Sequence, residues 1–462
     1  MVKTMKLFST LLSVWILVAC GGGNGGHISG EVPPLYSLGG SISGMGNATG
    51  LSLANGTETL AIAANATAFT FATKLAQSAS YNITVTSQPA GLTCSITGGA
   101  GTISDANVNN VSVTCVALPA LALFAGSMEE AGSLDGSGAK ARFFYPGGIA
   151  TDSAGNFYVA DTNNGTVRKI TPTGVVSTLA GTARVFGYTD GIGAAASFDR
   201  PRGIATDSAG NVYVSHCCTA NGLGAGADAA APPPYNHTIR KITPSGVVST
   251  LTRTAGAVGY ENMPGRASSF SITDAIATDS AGNVYVADST YQTIRKITPD
   301  GVMITLAGAD NVSDYADGIG AAARFSYPRG IATDSAGNVY VADAGNNIIR
   351  KITPTGTVST LAGTAGVEGH ADGIGVAASF NQPWGIATDS TGNVYVADTG
   401  NHAIRKISPA GMVTTLAGVP GRNGFVAGPL PGLLSNPENL VIKGSSLYIT
   451  MLNGIAVVTN LP

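Results

Sequence analysis

The sequence predicts an all-β protein, and three observations support that fold class. A segment at residues 331–343 recurs with small changes from Ile149, Ile204, Ile276 and Ile386. Runs of β-branched and aromatic residues fill each repeat, separated by Gly, Asn and Asp residues that favour turns. Residues 36–117 are instead rich in Ser, Thr, Ala and Asn, with alternating apolar and polar positions. We therefore expect two different kinds of β-domain in the chain.

Each repeat divides into four short strands. In the repeat that begins near Gly330, the strands are predicted at residues 330–333, 339–341, 348–352 and 358–362, with tight turns between them. The repeats start 55, 72, 55 and 55 residues apart. Four antiparallel strands in a unit of this length are typical of one blade of a β-propeller.

The two ends of the repeated region predict the number of blades. A copy of the fourth strand, at residues 122–126, precedes the first complete repeat. The C-terminal region supplies three strands, at residues 439–442, 447–450 and 455–458. We expect the N-terminal strand to complete this last blade, which closes the ring and removes exposed strand edges. The prediction is a six-bladed propeller over residues 119–462.

The repeated pattern Pro-x-Gly-Ile-Ala-x-Asp-x-x-Gly-Asn-x-Tyr-Val-Ala-Asp-x-x-Asn-x-x-Ile-Arg-Lys-Ile resembles the NHL repeat. Residues 328–352 and 383–407 carry it most fully. The resemblance is specific for the fold and says little about function, because propellers include ligand-binding, scaffolding and catalytic proteins. The third repeat departs from it at Thr273 and Ala275, the second at His216, and the last at residues 443–446.

The N-terminal region predicts the location of the protein. Lys3 and Lys6 precede a short apolar stretch at residues 7–18, which is typical of a signal peptide over residues 1–19. The sequence Leu-Val-Ala-Cys that ends at Cys20 resembles a bacterial lipobox. The resemblance implies cleavage before Cys20 and lipidation of that residue, with residues 20–35 as a flexible tether. An ordinary secretory signal with a chance cysteine is the alternative.

In lipoproteins of this kind, a residue other than Asp after the lipidated cysteine favours the outer membrane, and this chain has Gly21. No other segment is long and apolar enough to span a bilayer. We therefore expect a protein of the bacterial cell envelope, held at the outer membrane by its lipid anchor only. The sequence leaves open whether it faces the periplasm or the cell surface.

Residues 36–117 are predicted to form a small β-sandwich of about seven short strands. Cys94 and Cys115 lie in alternating β-type runs, so a disulfide between neighbouring or facing strands is expected, with two buried thiols as the alternative. The segment resembles the immunoglobulin-like modules of bacterial surface lipoproteins. That resemblance implies a spacer between membrane and propeller; an adhesion module is the alternative.

The charge of the chain argues against nucleic-acid binding. Charged residues make up 11% of the sequence, the formal net charge is −3 and the pI is about 5.9. Nucleic-acid-binding domains usually carry a basic surplus. Some NHL propellers bind RNA through a basic face, but the Arg-Lys pairs recur here inside every third strand, which favours a structural role. These pairs begin at Arg168, Arg240, Arg295, Arg350 and Arg405.

Two series of aspartates recur with the repeats. Each of Asp152, Asp207, Asp279, Asp334 and Asp389 begins a turn, and we expect it to bond its own backbone rather than form a carboxylate ring around a cation. Asp-Gly pairs also lie in the connections between blades, without the dense oxygen-ligand spacing of a calcium loop. No cofactor is predicted, and incidental Ca²⁺ binding is left open.

The sequence offers little support for catalysis. Its five histidines form no ligand-spaced cluster, and no Gly-x-Ser-x-Gly elbow occurs. Some six-bladed propellers that resemble this one are lyases or lactonases that hold an axial metal through residues from several blades. An axial-metal hydrolase or lyase is therefore the alternative function. Three or more His, Glu or Asp side chains around the axis would favour it.

The connections between blades, about 20 residues long, are the predicted binding face, because long variable loops on a rigid ring commonly carry function. The second blade has an insertion in the same face, expected to contact a partner. The candidate residues are Tyr188, Cys217, Cys218, Tyr235, Tyr260, Tyr315, His370 and Trp384. The recurring Phe198, Phe270, Phe325 and Phe380 are expected to pack between blades instead. The predicted function is a non-enzymatic scaffold that binds a protein or glycan of the cell envelope.

Overall fold

The computed structural model describes residues 33–216, 238–251 and 273–461, and the chain divides into two compact units between Val116 and Ala117. No helix in these ranges is long and apolar enough to cross a membrane. The predicted signal peptide, Cys20 and most of the tether lie outside the described residues.

The first unit is a β-sandwich. Its ten strands are β1 (Leu35–Tyr36), β2 (Leu38–Ser43), β3 (Ser52–Asn55), β4 (Glu58–Ala61), β5 (Ala68–Thr70), β6 (Leu75–Ala76), β7 (Ser80–Ser87), β8 (Leu92–Thr97), β9 (Ala100–Thr102) and β10 (Val108–Ala117). The sheets β5-β2-β10-β8 and β4-β3-β7-β9 have four strands each, and β1 pairs with β6. Leu38 and Val113 from one sheet share a core with Leu53 and Ile83 from the other. The expected seven strands are ten, because strands of two or three residues are too short to show an alternating pattern.

The expected disulfide joins Cys94 to Cys115. Cys94 lies in β8 and Cys115 in β10, which are neighbours in one sheet, and the two Cα atoms are 3.9 Å apart. Both residues belong to the apolar core of the sandwich. The bridge closes a loop of 21 residues, which stabilises the fold by about 3 kcal/mol through the unfolded state.

The second unit is a ring of six antiparallel sheets. Its strands are β11 (Ala120–Gly126), β12 (Gly136–Ser137), β13 (Pro146–Thr151), β14 (Phe157–Asp161), β15 (Thr166–Ile170), β16 (Val175–Ala180), β17 (Gly191–Ile192), β18 (Pro201–Thr206), β19 (Val212–His216), β20 (Thr238–Ile242), β21 (Val247–Thr250), β22 (Thr273–Thr278), β23 (Val284–Asp288), β24 (Thr293–Ile297), β25 (Met303–Ala307), β26 (Gly318–Ile319), β27 (Pro328–Thr333), β28 (Val339–Asp343), β29 (Ile348–Ile352), β30 (Thr357–Ala362), β31 (Gly373–Ile374), β32 (Pro383–Thr388), β33 (Val394–Asp398), β34 (Ala403–Ile407), β35 (Met412–Ala417), β36 (Gly428–Pro429), β37 (Asn439–Lys443), β38 (Ser446–Met451) and β39 (Gly454–Thr459).

The predicted closure of the ring is confirmed. The N-terminal strand β11 pairs with β39 and so becomes the fourth strand of the blade that β37 and β38 begin. The first strands of the six blades, β13, β18, β22, β27, β32 and β37, contact one another in order around the axis. The fold is an all-β, six-bladed propeller preceded by a small sandwich, as the sequence predicts.

The connections between blades differ from the expectation. In five blades, part of the preceding connection forms a fifth, two-residue strand that pairs with the outer strand of the blade, as β17 does with β21 and β26 with β30. Five of the six described sheets have such a strand. The connections are therefore held against the blades over part of their length and are not simple surface loops.

A buried arginine in the third strand holds the connection in place in four blades. The Arg350 side chain has no exposed surface and donates to Asp343 at the end of β28, at 3.0 Å, and to Asp317 of the connection, at 2.7 Å. It also donates to the backbone carbonyls of Ala316 and Arg324. Arg168 and Arg405 make the corresponding four contacts in their own blades. The structural role predicted for these arginines is confirmed.

Two blades lack the inner carboxylate of this arrangement. His216 occupies the position in the second blade, where it is buried, and Arg240 keeps Asp190 of the connection at 2.6 Å. In the sixth blade, the strand register places Met451 and Ala456 where other blades have Asp and Arg, and both are fully buried. An apolar pair can thus replace the ion pair, as expected when both charges are removed together.

The repeated turn aspartates also have the predicted structural role. The carboxylate of Asp334 accepts from the backbone N–H of Ala336 and Asn338, from the Asn338 side chain and from the Tyr340 hydroxyl. The Lys351 ammonium group lies over the same Tyr340 ring, at 5.6 Å from its centroid. The expected inter-blade packing of the recurring Phe residues is likewise confirmed for Phe198, Phe325 and Phe380, which are fully buried; Phe270 lies outside the described residues.

We expect the substitution Asp343→Met to lower the free energy of unfolding by about 3 kcal/mol or more, because it leaves Arg350 buried without its inner carboxylate. The double substitution Asp343→Met with Arg350→Ala copies the sixth blade and should cost less than the single one. Urea unfolding of the wild type, both single variants and the double variant measures this coupling. Strictly additive effects would contradict it.

Candidate functional site

The two ends of the central channel differ in chemistry. At the end where the first strands finish, Thr151, Thr206, Thr278, Thr333 and Thr388 occupy equivalent positions and line a cavity. The hydroxyl of Thr206 donates to the backbone carbonyl of Thr151 at 2.7 Å, and Thr278, Thr333 and Thr388 continue this chain of bonds from blade to blade. This end of the channel has the same residue type in five blades, and the threonine hydroxyl groups form hydrogen bonds that join neighbouring blades.

At the other end, where the first strands begin, the six equivalent positions hold five different residue types. The residue before each inner Gly or its counterpart is Gly147, Arg202, Asp274, Arg329, Trp384 or Glu438. Together with Tyr145, these residues line a narrow pocket of about 40 Å³ on the axis. We call Tyr145, Arg202, Asp274, Arg329, Trp384 and Glu438 the axial mouth.

The backbone at the axial mouth is held in an unusual conformation. The residue before the proline of the first strand has positive φ in five blades: 55° at Tyr145, 46° at Arg200, 47° at Tyr327, 45° at Gln382 and 42° at Asn436. This conformation is costly for residues other than glycine, and the α region is further disfavoured before proline. It persists only where surrounding contacts enforce it.

Side chains of the preceding blade supply those contacts. The Tyr327 backbone N–H donates to the side-chain oxygen of Gln292 at 2.6 Å, and the Gln382 N–H donates to that of Asn347 at 2.8 Å. The Asn436 N–H donates in the same way to the Nδ1 atom of His402. The third, fourth and fifth blades therefore fix where the next first strand enters the axial mouth.

Close packing around the axis explains the glycine that follows the equivalent axial position in four of the six blades. A Cβ atom on Gly330 would overlap the backbone carbonyl of Trp384, and one on Gly148 would overlap that of Arg202. At these glycines, neighbouring first strands therefore lie too close together for a side chain to fit between them. In the third blade Ala275 takes this place, and its strand pairs without the wider register jump of the other blades.

Arg202 and Asp274 form an ion pair at the axial mouth. The Arg202 Nη1 atom lies 2.6 Å from Asp274 Oδ1, and the Ser289 hydroxyl donates to Asp274 Oδ2 at 2.8 Å. The Asp274 side chain is 9% exposed and that of Arg202 is 40% exposed. The pair is mutually neutralised but remains accessible from the mouth on the arginine side.

Glu438 is the most electrostatically perturbed group of the mouth. Burial raises the pKa of its carboxyl to about 7, against the lowering effects of a hydrogen bond with Tyr145 and of the charges on Arg202 and Arg329. Burial and the charge of Glu438 raise the pKa of the Tyr145 hydroxyl to about 12. Near neutral pH, the mouth therefore contains a carboxyl group that can gain or lose a proton.

Arg329 and Trp384 connect the axial mouth to a wider pocket. The Arg329 guanidinium lies over the Trp384 ring, 4.2 Å from the ring centroid. Both residues also line an adjoining cavity of about 310 Å³. We call this cavity the side pocket; its lining includes Tyr327, Asn347, Glu368, Gln382, Arg329 and Trp384. It has the size of a pocket for a small ligand.

Of the four predicted binding residues that the structure describes, Trp384 lies at the axial mouth. Tyr188 and Tyr315 are exposed but line neither pocket, so a binding face formed by the connection aromatics stays a prediction. Tyr188 packs near buried His216, and Tyr315 lies against buried Arg350 and hydrogen-bonds Thr360. His370 is exposed beside the side-pocket residue Glu368. Cys217, Cys218, Tyr235 and Tyr260 lie outside the described residues.

The sequence interpretation missed Tyr145, Arg202, Asp274, Arg329 and Glu438. A signal was present: these residues vary at or next to the second position of an otherwise repeated Pro-x-Gly pattern. Such variation marks places where the common fold does not dictate the side chain. The sequence does not show that this position lies at the axis. That follows from the tertiary structure, in which the six first strands begin at one end of the channel.

The described residues contain no group of three or more His, Cys, Asp or Glu side chains that could hold a metal ion. The acids of the axial mouth are Asp274 and Glu438, and Asp274 is occupied by Arg202 and Ser289. The aspartates of the Asp-Gly pairs in the connections accept hydrogen bonds from the buried arginines, as Asp372 does from Arg405. These donor sets do not provide the axial cluster that would favour a metal-dependent enzyme.

The NHL repeat model matches residues 143–170, 325–352 and 380–407. Three of the six blades therefore contain an NHL repeat. These three segments each run from the end of an inter-blade connection through the third strand of a blade. The match therefore includes the buried arginine and, at Tyr145, Arg329 and Trp384, half of the axial mouth.

Curated relatives share the repeats over part of their length. The chain is 32% identical over 301 residues to Protein SUPPRESSOR OF QUENCHING 1, chloroplastic, from Arabidopsis thaliana, covering 61% of this chain and 26% of that protein. It is 34% identical over 157 residues to human NHL repeat-containing protein 2, covering 32% and 22%. The chain thus spans about a quarter of the length of these relatives.

Solved bacterial structures share the fold over nearly the whole chain. A protein of unknown function from Bacteroides thetaiotaomicron has a TM-score of 0.55 at 17% identity, covering 93% of this chain and 99% of its own. An auxiliary nutrient binding protein from the same organism has a TM-score of 0.53 at 13% identity, covering 92% and 97%. At these identities the similarity shows the fold alone.

We expect the stability of the protein to depend on the protonation of Glu438. Its raised pKa means that the folded protein holds a proton that the unfolded chain releases above the ordinary carboxyl value of about 4.5. This stabilisation is present below that pH and is lost as the pH rises to about 7, with a total of roughly 3 kcal/mol. Glu438→Gln should match the wild type near pH 4.5 and be more stable near pH 8.

Thermal and urea unfolding at both pH values measure this effect. The exposed Glu129→Gln is the matched control and should follow the wild type at each pH. A Glu438→Gln variant whose difference from the wild type is the same at both pH values would exclude the proposed titration.

Proposed function

We propose that this protein is a lipid-anchored, extracytoplasmic binding scaffold whose propeller binds a protein or glycan of the cell envelope at the axial mouth and side pocket. One observation carries the proposal. Five repeats keep the same turns, buried arginine and threonine, whereas the six blades place Gly, Arg, Asp, Arg, Trp and Glu at one equivalent axial position. Function is commonly carried where a rigid scaffold presents variable side chains.

The dimensions of the site favour a glycan terminus over a large protein surface. The axial pocket of about 40 Å³ admits one small polar group, whereas the side pocket of about 310 Å³ admits a ring. Trp384 and the 56% exposed Tyr327 offer flat apolar surface beside the amides of Asn347 and Gln382. Aromatic faces with a few well-placed polar groups are suited to sugar rings, which present C–H groups and hydroxyls.

The proposed location rests on the leader sequence and the lipobox-like segment at Cys20. The disulfide between Cys94 and Cys115 supports it, since such bonds persist mainly in oxidising compartments outside the cytoplasm. A similarly folded Bacteroides protein is an auxiliary nutrient binding protein, which agrees with a binding role by analogy of fold. The axial-metal enzyme has no specific observation in its favour and is not proposed.

We expect Trp384→Ala to weaken binding of polysaccharide prepared from the producing cell's own envelope by at least tenfold, because the ring is shared by both pockets. Biolayer interferometry with the full chain measures the affinity. Phe186→Ala removes an exposed aromatic outside both pockets and should leave the affinity unchanged. Equal affinities for the wild type and Trp384→Ala, or no binding by either, would remove the proposed site.

We expect Cys20→Ser to abolish incorporation of labelled fatty acid and to move the protein from the membrane fraction to the soluble fraction. The reason is that Cys20 is the proposed lipid acceptor. Cys217→Ser is the matched control, since it removes a cysteine without touching the leader. Membrane association that persists in Cys20→Ser would show that the anchor lies elsewhere.

A further inference from the structure

The axial mouth holds four charged side chains whose pairing is uneven. Arg202 and Asp274 neutralise each other in an ion pair. Within the described residues, Arg329 makes no ion pair and donates no hydrogen bond to a protein acceptor; its guanidinium lies on the Trp384 ring. One positive charge at the junction of the two pockets therefore has no direct anionic partner.

Glu438 does not take that role. It attracts Arg329 electrostatically but lies beyond ion-pair distance, and its hydrogen bond is with Tyr145. A guanidinium offers several N–H donors in a fixed plane, which match the two oxygens of a carboxylate. A single positive charge also balances one carboxylate, whereas a phosphate dianion would leave excess negative charge beside Asp274 and Glu438.

We propose that the ligand is a carboxylated sugar whose carboxylate binds Arg329 at the axial mouth while its ring lies in the side pocket. This inference rests on the proposed binding function and specifies its ligand class. The narrow axial pocket receives the carboxylate, and Arg329 lines both pockets, so a carboxylate on Arg329 and a ring in the side pocket can belong to one sugar. Trp384 supports the guanidinium from one side and contacts the bound ring at its edge.

Proton binding accompanies ligand binding in this arrangement. The titratable and charged groups that face Glu438 are the neutral Tyr145 hydroxyl and the charged Arg202, Asp274 and Arg329, one from each of four blades. A ligand carboxylate on Arg329 reduces the positive field at Glu438 and adds a negative charge beside it. Glu438 then keeps its proton to higher pH, and the acidic sugar binds more tightly at pH 6 than at pH 8.

The fluorescence of Trp384 provides a direct measurement. The chain has two tryptophans, Trp15 and Trp384, so full-length protein with Trp15→Phe reports on the mouth alone. The probes are three pairs, each with an acidic sugar and a neutral partner: D-glucuronate with D-glucose, D-galacturonate with D-galactose, and N-acetylmuramate with N-acetylglucosamine. At least one acid should bind ten or more times more tightly than its neutral partner.

Variants at Arg329 decide whether this preference has the proposed origin. Arg329→Gln should remove it, whereas Arg184→Gln, at an exposed arginine outside both pockets, should retain it. Arg329→Lys keeps the charge but loses the planar pair of donors, so it should weaken acid binding severalfold even if Arg329→Gln fails to fold. Glu438→Gln should abolish the difference between pH 6 and pH 8.

The inference is overturned if none of the three acids gives a saturable change, if the neutral partners bind as tightly, or if Arg329→Lys binds acid as the wild type does. These failures differ from failure of the proposed function. Envelope polysaccharide that still binds in a Trp384-dependent way would keep the binding site and exclude only the carboxylate.

Discussion

The propeller depends on the hydrogen bonds and ion pairs made by the buried arginine of the third strand. In three blades it joins an aspartate of the second strand, an aspartate of the connection and two backbone carbonyls of that connection. The connection leads directly to the start of the first strand. Because the arginine fixes the connection on the outside of the blade, it also fixes the point at which each first strand enters the axial mouth.

The repeats provide an internal comparison between structural and functional positions. Threonines at one end of the channel and aspartates in the turns recur because their hydrogen bonds build the ring. The residues of the axial mouth lie on the same repeated backbone, but within the described residues their side chains make no hydrogen bond that recurs from blade to blade. Their differences in charge, size and polarity therefore describe a surface, and the strained residues before each proline show how firmly that surface is held.

The fold was predictable because its determinants are local and repeated. Strand patterns, turn aspartates and the extra copy of the fourth strand at the N-terminal end indicated six blades and their closure, and alternation around Cys94 and Cys115 indicated the disulfide. The two-residue fifth strands were not predicted, since their pairing depends on the next blade. The length of the connections predicted a binding face for their aromatics, but it could not reveal that one side of Tyr315 packs on Arg350.

The sequence by itself determined the propeller, its NHL repeats and the structural use of the repeated charges, because each repeat encodes the same hydrogen bonds within a few dozen residues. Only the tertiary structure decided the site. Tyr145 and Glu438 are nearly 300 residues apart in the chain and meet because the ring closes. Arg329 and Trp384 come together because neighbouring first strands begin side by side at the axis. A contact made by ring closure has no local sequence pattern, whereas the strands that make it do.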